Sequence, residues 1–257
     1  MSGAEQSTID ALWDFNEPAA SEDRFRAAAE SANGAQLGEI QTQIARAMGL
    51  QGRFDDGHAA LDAVAETGSS RVQVLIALER GRLFNSAGDR AVATGHFQAA
   101  VDLARHAGEA ALEIDALHML ANADVEHASR WNNLALERAR ASDLPAVRRW
   151  LGSLLNNQGW TRFDRGDFHA ALVLFEEALA HFVERGDPEP IRIARWTVAR
   201  CLRALGEHEA AMVILRDLES NHSRCGWLCR RGAGRKPAGN RSGRRVAHMV
   251  LAGVRGT

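Results

Sequence analysis

A helix-turn-helix phrase recurs along this chain at a spacing of 36 to 40 residues, and this recurrence restricts the fold more than any other feature. Its clearest copies run LERGRLFNSAGDRAVATGHFQAAVDLA from Leu78 and LLNNQGWTRFDRGDFHAALVLFEEALA from Leu154. The first sets Gly81, Phe84, Gly88, Ala93, Phe97 and Ala100 at its small and large positions. The second sets Gly159, Phe163, Gly166, Ala171, Phe175 and Ala178 there, with the first aromatic one residue late. A helix pair of this size cannot bury its apolar face alone, so copies must stack.

Weaker copies fix the register. Turn glycines stand at Gly52, Gly88, Gly166 and Gly206, at steps of 36, 78 and 40, so the repeat between Gly88 and Gly166 has lost its glycine. The packing position of the second helix gives the same count, with Val64, Ala100, Ala139, Ala178 and Leu218 at steps of 36, 39, 39 and 40. Inter-repeat turns are expected at 67–70, 106–108 and 186–190, where Gly, Ser and Pro gather. Small residues let paired helices approach closely, and Phe97 and Phe175 fill the gap towards the next repeat. Glycine ends each first helix cheaply in the left-handed conformation, and the acid after Gly88 or Gly166 caps the second.

These positions resemble the tetratricopeptide repeat (TPR). The phrases LWDFNEPAASEDRFR, WLGSLLNNQGWTRFDRGDF and IARWTVARCLRALGE also resemble a group of bacterial TPR proteins without an assigned activity, over roughly residues 8 to 218. The resemblance implies an all-α fold, a right-handed α-solenoid of about five TPR-like helix-turn-helix repeats, in a cytoplasmic bacterial protein. Three segments are expected: 1–24 as an N-terminal segment with a cap helix, 25–220 as the repeat domain and 221–257 as a basic tail. Within the first, Ile9, Leu12, Trp13 and Phe15 form an amphipathic cluster read as a short helix, and Ser21 reads as the start of the next one.

Composition agrees with an all-helical chain: alanine, leucine, arginine and glutamate dominate, with 5 prolines and no tyrosine. No run of 18 apolar residues and no basic-then-apolar start is present, so neither a membrane partner nor a signal peptide is expected. Three cysteines make no disulfide framework, in keeping with a reducing compartment.

Charge is uneven. Residues 221–257 hold nine Arg or Lys and no acid, so with −2 overall the first 220 residues carry −11. A nucleic-acid arm is one reading of such a tail, and nucleic acid is expected only through it. Lys236 is nevertheless the only lysine against 30 arginines, and helical periodicity stops after Ser220. Out-of-frame translation of GC-rich DNA gives text of this kind, so the tail is read as disordered or non-native. It also holds His222, Cys225, Cys229 and His248, whose spacing leaves zinc without a defined fourth donor, and no metal is assigned.

No catalytic constellation, P-loop or dinucleotide fingerprint occurs in the repeats, so neither an enzyme nor a cofactor is expected. Cys201 reads as a small buried residue, and His58, His169 and His208 read as solvated or capping residues at starts of second helices.

The TPR resemblance implies that the first helices line a concave groove. Its residues are then Glu39, Thr42, Gln43 and Arg46; Glu79, Arg82 and Asn85; His118 and Asn122; Asn156, Asn157 and Trp160; and Trp196, Arg200 and Arg203. Asparagine grips a peptide backbone as donor and acceptor, arginine forks onto a carboxylate, and tryptophan adds rigid apolar area. The lysines of the chaperone-binding clamp of this family are missing here, so that activity is not implied. The expected function is a scaffold that binds a peptide or partner protein. The alternative is a regulatory sensor array acting through a separate output partner. An uncapped last repeat, with Met212, Leu215 and Leu218, offers a route to self-association.

Overall fold

Within each helix pair, glycine decides how closely the two helices meet. The structure, a computed structural model, describes residues 9–64 and 69–222. The helices are α1 (Pro18–Ala29), α2 (Gly34–Leu50), α3 (Phe54–Asp62), α4 (Ser70–Ala87), α5 (Arg90–His106) and α6 (Ala110–Ala123). They continue with α7 (Ala128–Arg140), α8 (Pro145–Arg148), α9 (Leu151–Asp164), α10 (Phe168–Arg185), α11 (Pro188–Ala204) and α12 (His208–His222). No strand occurs among the described residues.

The described residues up to Arg148 form one compact unit and those from Arg149 a second. In the first, α2 pairs with α3, α4 with α5 and α6 with α7, while α1 packs on α2 and the short α8 on α6 and α7. In the second, α9 pairs with α10 and α11 with α12. We call the first helix of each pair A (α2, α4, α6, α9, α11) and the second B. The fold is the expected all-α array of five repeats in the α-solenoid class.

The repeat signature has a direct steric meaning. A Cβ on Gly81 would lie 2.5 Å from the ring of Phe97, and one on Gly159 would lie 2.5 Å from the ring of Phe175. Both rings are almost fully buried against their own A helix. Phe175 also belongs to an apolar cluster with Val198, Ala199, Cys201 and Leu202 of α11, so one ring joins a pair to the next. Of the B-helix register positions, Val64, Ala100, Ala139 and Ala178 are buried and Leu218 is half-buried.

Turns follow the glycines. α4 ends at Gly88, whose φ of 99° is left-handed, and Asp89 then caps α5 by accepting from the Val92 amide. Gly166 and Asp167 do the same before α10. In the repeat without a glycine, Asp124 organises the turn. Its carboxylate accepts from the amide of His127 at 3.3 Å and from the indole nitrogen of Trp131 at 2.9 Å.

Three local expectations differ from the structure. Residues 9–16 are helical only at Ile9 and Asp10, because Trp13 and Phe15 stack in parallel at 4.7 Å. Two residues apart on a helix they would point to nearly opposite sides. The next helix begins at Pro18, whose fixed φ suits a first turn, while the Ser21 hydroxyl bonds Asp14 on both its amide and its carbonyl. α1 therefore includes residues on both sides of the boundary expected at residue 24. His58 is also not a solvated cap residue: its ring lies 4.4 Å from that of Phe84. Cys201 is fully buried as expected, its Sγ 3.2 Å from the Phe168 carbonyl, and burial pushes the thiol up to about 11. The basic tail and its Cys225, Cys229 and His248 lie outside the described residues.

Candidate binding faces of the A helices

One register position on every A helix carries a buried polar side chain. Gln43, Glu79, His118, Asn157 and Thr197 follow at steps of 36, 39, 39 and 40, the steps of the B-helix packing position. Packing alone would favour apolar residues at such places, since an uncompensated polar group is costly to bury. Four of the five stood among the groove candidates. Thr197 did not, because Trp196 beside it drew the assignment, yet its hydroxyl is buried and donates to the Ile193 carbonyl.

In the first unit Glu79 belongs to an ionic network between neighbouring A helices. Arg82 of α4 donates to Glu79 on its own helix and to Asp115 of α6 at 2.6 Å. Burial works against its charge, but the two carboxylates outweigh burial and raise its pKa. A second bridge runs from Glu39 of α2 to Arg71 at 3.3 Å and from Arg71 to Glu109 at 2.6 Å. Burial raises the pKa of Glu39, and Arg71 partly offsets this. His118 lies one turn after Asp115 and is buried; Asn122, a turn further, is half-buried. Arg71, Glu109 and Asp115 were not singled out from sequence. The signal available was their separation, since 32, 38 and 33 residues part the bonded partners, close to one repeat.

Arg46 behaves differently from its counterpart Arg82. Its guanidinium stands 5.4 Å from the ring of Trp13 and 5.3 Å from that of Phe15. Burial and the charge of Arg82 lower its pKa, against the opposing pull of Glu79, Asp115 and Asp10.

In the second unit, Asn156 and Asn157 are buried on α9, and Trp160 is buried in the apolar cluster with Phe175. Trp160 is thus a packing residue whose ring also backs Arg200. The Arg200 guanidinium, on α11, lies 5.2, 5.7 and 5.6 Å from the rings of Trp160, Phe163 and Trp196. Trp196 is the half-exposed member of this aromatic set on α11. The side-chain nitrogens of Asn157 and Trp160 are buried without a hydrogen-bond partner. The arrangement holds a half-buried cation against three ring faces, the approach expected of cation–ring contacts.

Among the described residues, no group of His, Cys, Asp or Glu is arranged to hold a metal ion. No helix there is long and apolar enough to cross a membrane.

Helical pairs with this glycine and aromatic signature define the tetratricopeptide type of fold, and solved structures agree. BtubC from P. vanneervenii is similar at 17% identity and a TM-score of 0.64, over 89% of this chain and 95% of that one. The apo form of the quorum sensor NprR from B. thuringiensis is similar at 14% identity and a TM-score of 0.60, over 82% of this chain and 61% of that one. A third, the STAND protein PH0952 from Pyrococcus horikoshii with its tetratricopeptide repeat sensor, is similar at 11% identity and a TM-score of 0.65. That match covers 82% of this chain and 34% of the other. The chain thus has the tetratricopeptide-type repeat fold. Comparison with protein-family models gives no match, and neither does comparison with curated proteins.

Proposed function

We propose that this chain is a non-enzymatic interaction scaffold of the bacterial cytoplasm, binding a peptide or partner protein along its A helices. The observation that carries the reading is the buried polar side chain kept at one register position of every A helix, from Gln43 to Thr197. Packing does not require it, and recognition of a peptide backbone would give it a use. Arg46, Arg82, His118 and Asn122 supply the face in the first unit; Asn156, Asn157, Trp196 and Arg200 supply it in the second, with Trp160 a packing residue behind it. Fold alone does not choose a ligand, so the site residues must decide.

The test is affinity capture with the full chain at low and high salt, beside a double variant Asn157→Ala and Arg200→Ala that circular dichroism shows to be folded. A salt-tolerant protein partner held by the wild type and released by the variant supports the reading. Equal capture by both rejects these residues as the site.

The likeness to NprR, a quorum sensor, favours a second reading as a regulatory array. A sensor gains thermal stability with a small molecule or signalling peptide before any protein partner joins it. A scaffold captures its partner without one.

A further inference from the structure

The A-helix face of the first repeat already carries a peptide, and that peptide belongs to the chain itself. Gln43 and Arg46 of α2 are the register equivalents of Glu79 and Arg82 on α4, one step of 36 residues later. In the second repeat the arginine is held by two carboxylates. In the first, the N-terminal segment supplies the contacts. The Trp13 indole nitrogen donates to the Gln43 side-chain oxygen at 3.1 Å. The rings of Trp13 and Phe15, stacked 4° from parallel, present themselves to the Arg46 guanidinium.

This cover looks replaceable by its own construction. Trp13 and Phe15 are only half-buried, Asp14 is exposed, and Trp13 and Asp14 have no regular secondary structure. The stretch is held at Ile9, buried with Phe25 and Ile40, and at Asp14, tied to Ser21 at 2.8 Å, while between them Trp13 meets the Phe25 ring edge-on at 5.0 Å and the Leu12 carbonyl accepts from Arg24 at 2.8 Å. Between these anchors, the Leu12–Phe15 stretch meets Gln43 through a single hydrogen bond and Arg46 through ring contacts. Each ring contact with Arg46 lies beyond 5 Å and carries no ion pair. Charge also points to an acidic ligand. Arg46 makes no ion pair among the described residues, while Arg82 already engages Glu79 and Asp115.

We infer that the Gln43–Arg46 face is a docking site for a short acidic peptide carrying two aromatic rings two residues apart. Leu12–Phe15 occupies the site until such a partner segment displaces it. The inference rests on the reading of the A-helix faces as peptide-binding, and it gives the first repeat a ligand chemistry and a built-in competitor. A resident competitor weakens the apparent affinity of any outside peptide by the fraction of time it leaves the site open.

The experiment uses the full chain and a labelled synthetic peptide copying residues 7–17, STIDALWDFNE, followed by fluorescence anisotropy. Replacing Trp13 and Phe15 with serine empties the site. The peptide should then bind about tenfold or more tighter than it binds the wild type. Adding Gln43→Ala and Arg46→Ala to the emptied chain should abolish that gain. Equal binding to the wild type and a folded emptied chain overturns the inference, as does a gain that survives the Gln43 and Arg46 changes. Should the emptied chain fail to fold, hydrogen exchange on the wild type decides. The bonded amides of Leu12, Trp13 and Asp14 should exchange about a hundredfold faster than those of Ala45 and Ala47, by local opening. Equal rates would make the segment a fixed cap. Capture of a partner that depends on Asn157 and Arg200, with no binding of the peptide, sinks this inference and leaves the scaffold reading standing.

Discussion

The ring of Phe97 rests directly on the backbone of Gly81, so close that a Cβ there would stand 2.5 Å from two of its carbons. Phe97 is fully buried and has no room to retreat. Gly81→Ala should therefore destabilise the chain by about 1–3 kcal/mol despite alanine's better helix propensity. Gly159→Ala should do the same against Phe175. Gly95, inside α5 and exposed, has nothing within 4 Å of its would-be Cβ. Gly95→Ala should stabilise by about 0.5–1 kcal/mol. Urea denaturation of the three variants checks the contrast. A Gly81→Ala midpoint at or above wild type would show that the pair can open without cost.

Those glycines were legible because they recur. Period, turn glycines and aromatic positions give the five pairs and a repeat without its turn glycine between Gly88 and Gly166. What replaced that glycine was not legible. Asp124 works through Trp131, seven residues on, and nothing in a repeat pattern marks a side chain that substitutes for a backbone conformation. The candidate faces were half legible. The family register placed Gln43, Glu79, His118 and Asn157 on the A helices, but the partners of Arg82 and Arg71 come from neighbouring repeats. Trp160 shows the opposite limit, since a tryptophan on an A helix reads as groove surface until the burial of its ring is known.

Arg82 holds two carboxylates at once, and Glu79 is completely buried. Removing the guanidinium takes the ion pair from the buried Glu79, and breaking a buried pair from one side costs about 3–5 kcal/mol. Arg82→Ala should lower the denaturation midpoint accordingly. Arg53→Ala should cost far less, because Arg53 is exposed, Asp56 is exposed, and the buried Glu22 keeps Arg26 and Gln51 as partners. Comparable losses for the two variants would refute a structural role for the Arg82 network.

His58 and His96 clasp Phe84 from two sides, with ring centroids 4.4 and 5.3 Å away. Burial lowers both pKa values, the charge of Arg80 adds to this, and His58 further disfavours a proton on His96. Asp62 and Asp55 pull the other way on His58 without reversing the direction. A depressed histidine pKa means that the unfolded chain takes up protons first. Stability is therefore complete above the ordinary value of about 6.5 and drains as pH falls below it, until the folded pKa is passed. Denaturation midpoints at about pH 7.5 and about pH 5 should differ more in the wild type than in a His58→Gln, His96→Gln double variant. Parallel losses in the two proteins would show that these histidines do not carry the pH dependence.

Asn157 allows stability and binding to be tested apart. Its side-chain nitrogen is buried with no hydrogen-bond partner, while its backbone carbonyl accepts from the Thr161 hydroxyl at 3.1 Å. An unmet buried donor costs about 1–3 kcal/mol. Leucine matches asparagine closely in shape and needs no partner there. Asn157→Leu should leave the denaturation midpoint unchanged or raise it by about 1 kcal/mol in stability, while partner capture falls. That combination is expected of a donor retained for a ligand rather than for packing. A loss beyond about 2 kcal/mol would mean that the amide is paired within the fold, and Asn157 would leave the binding face.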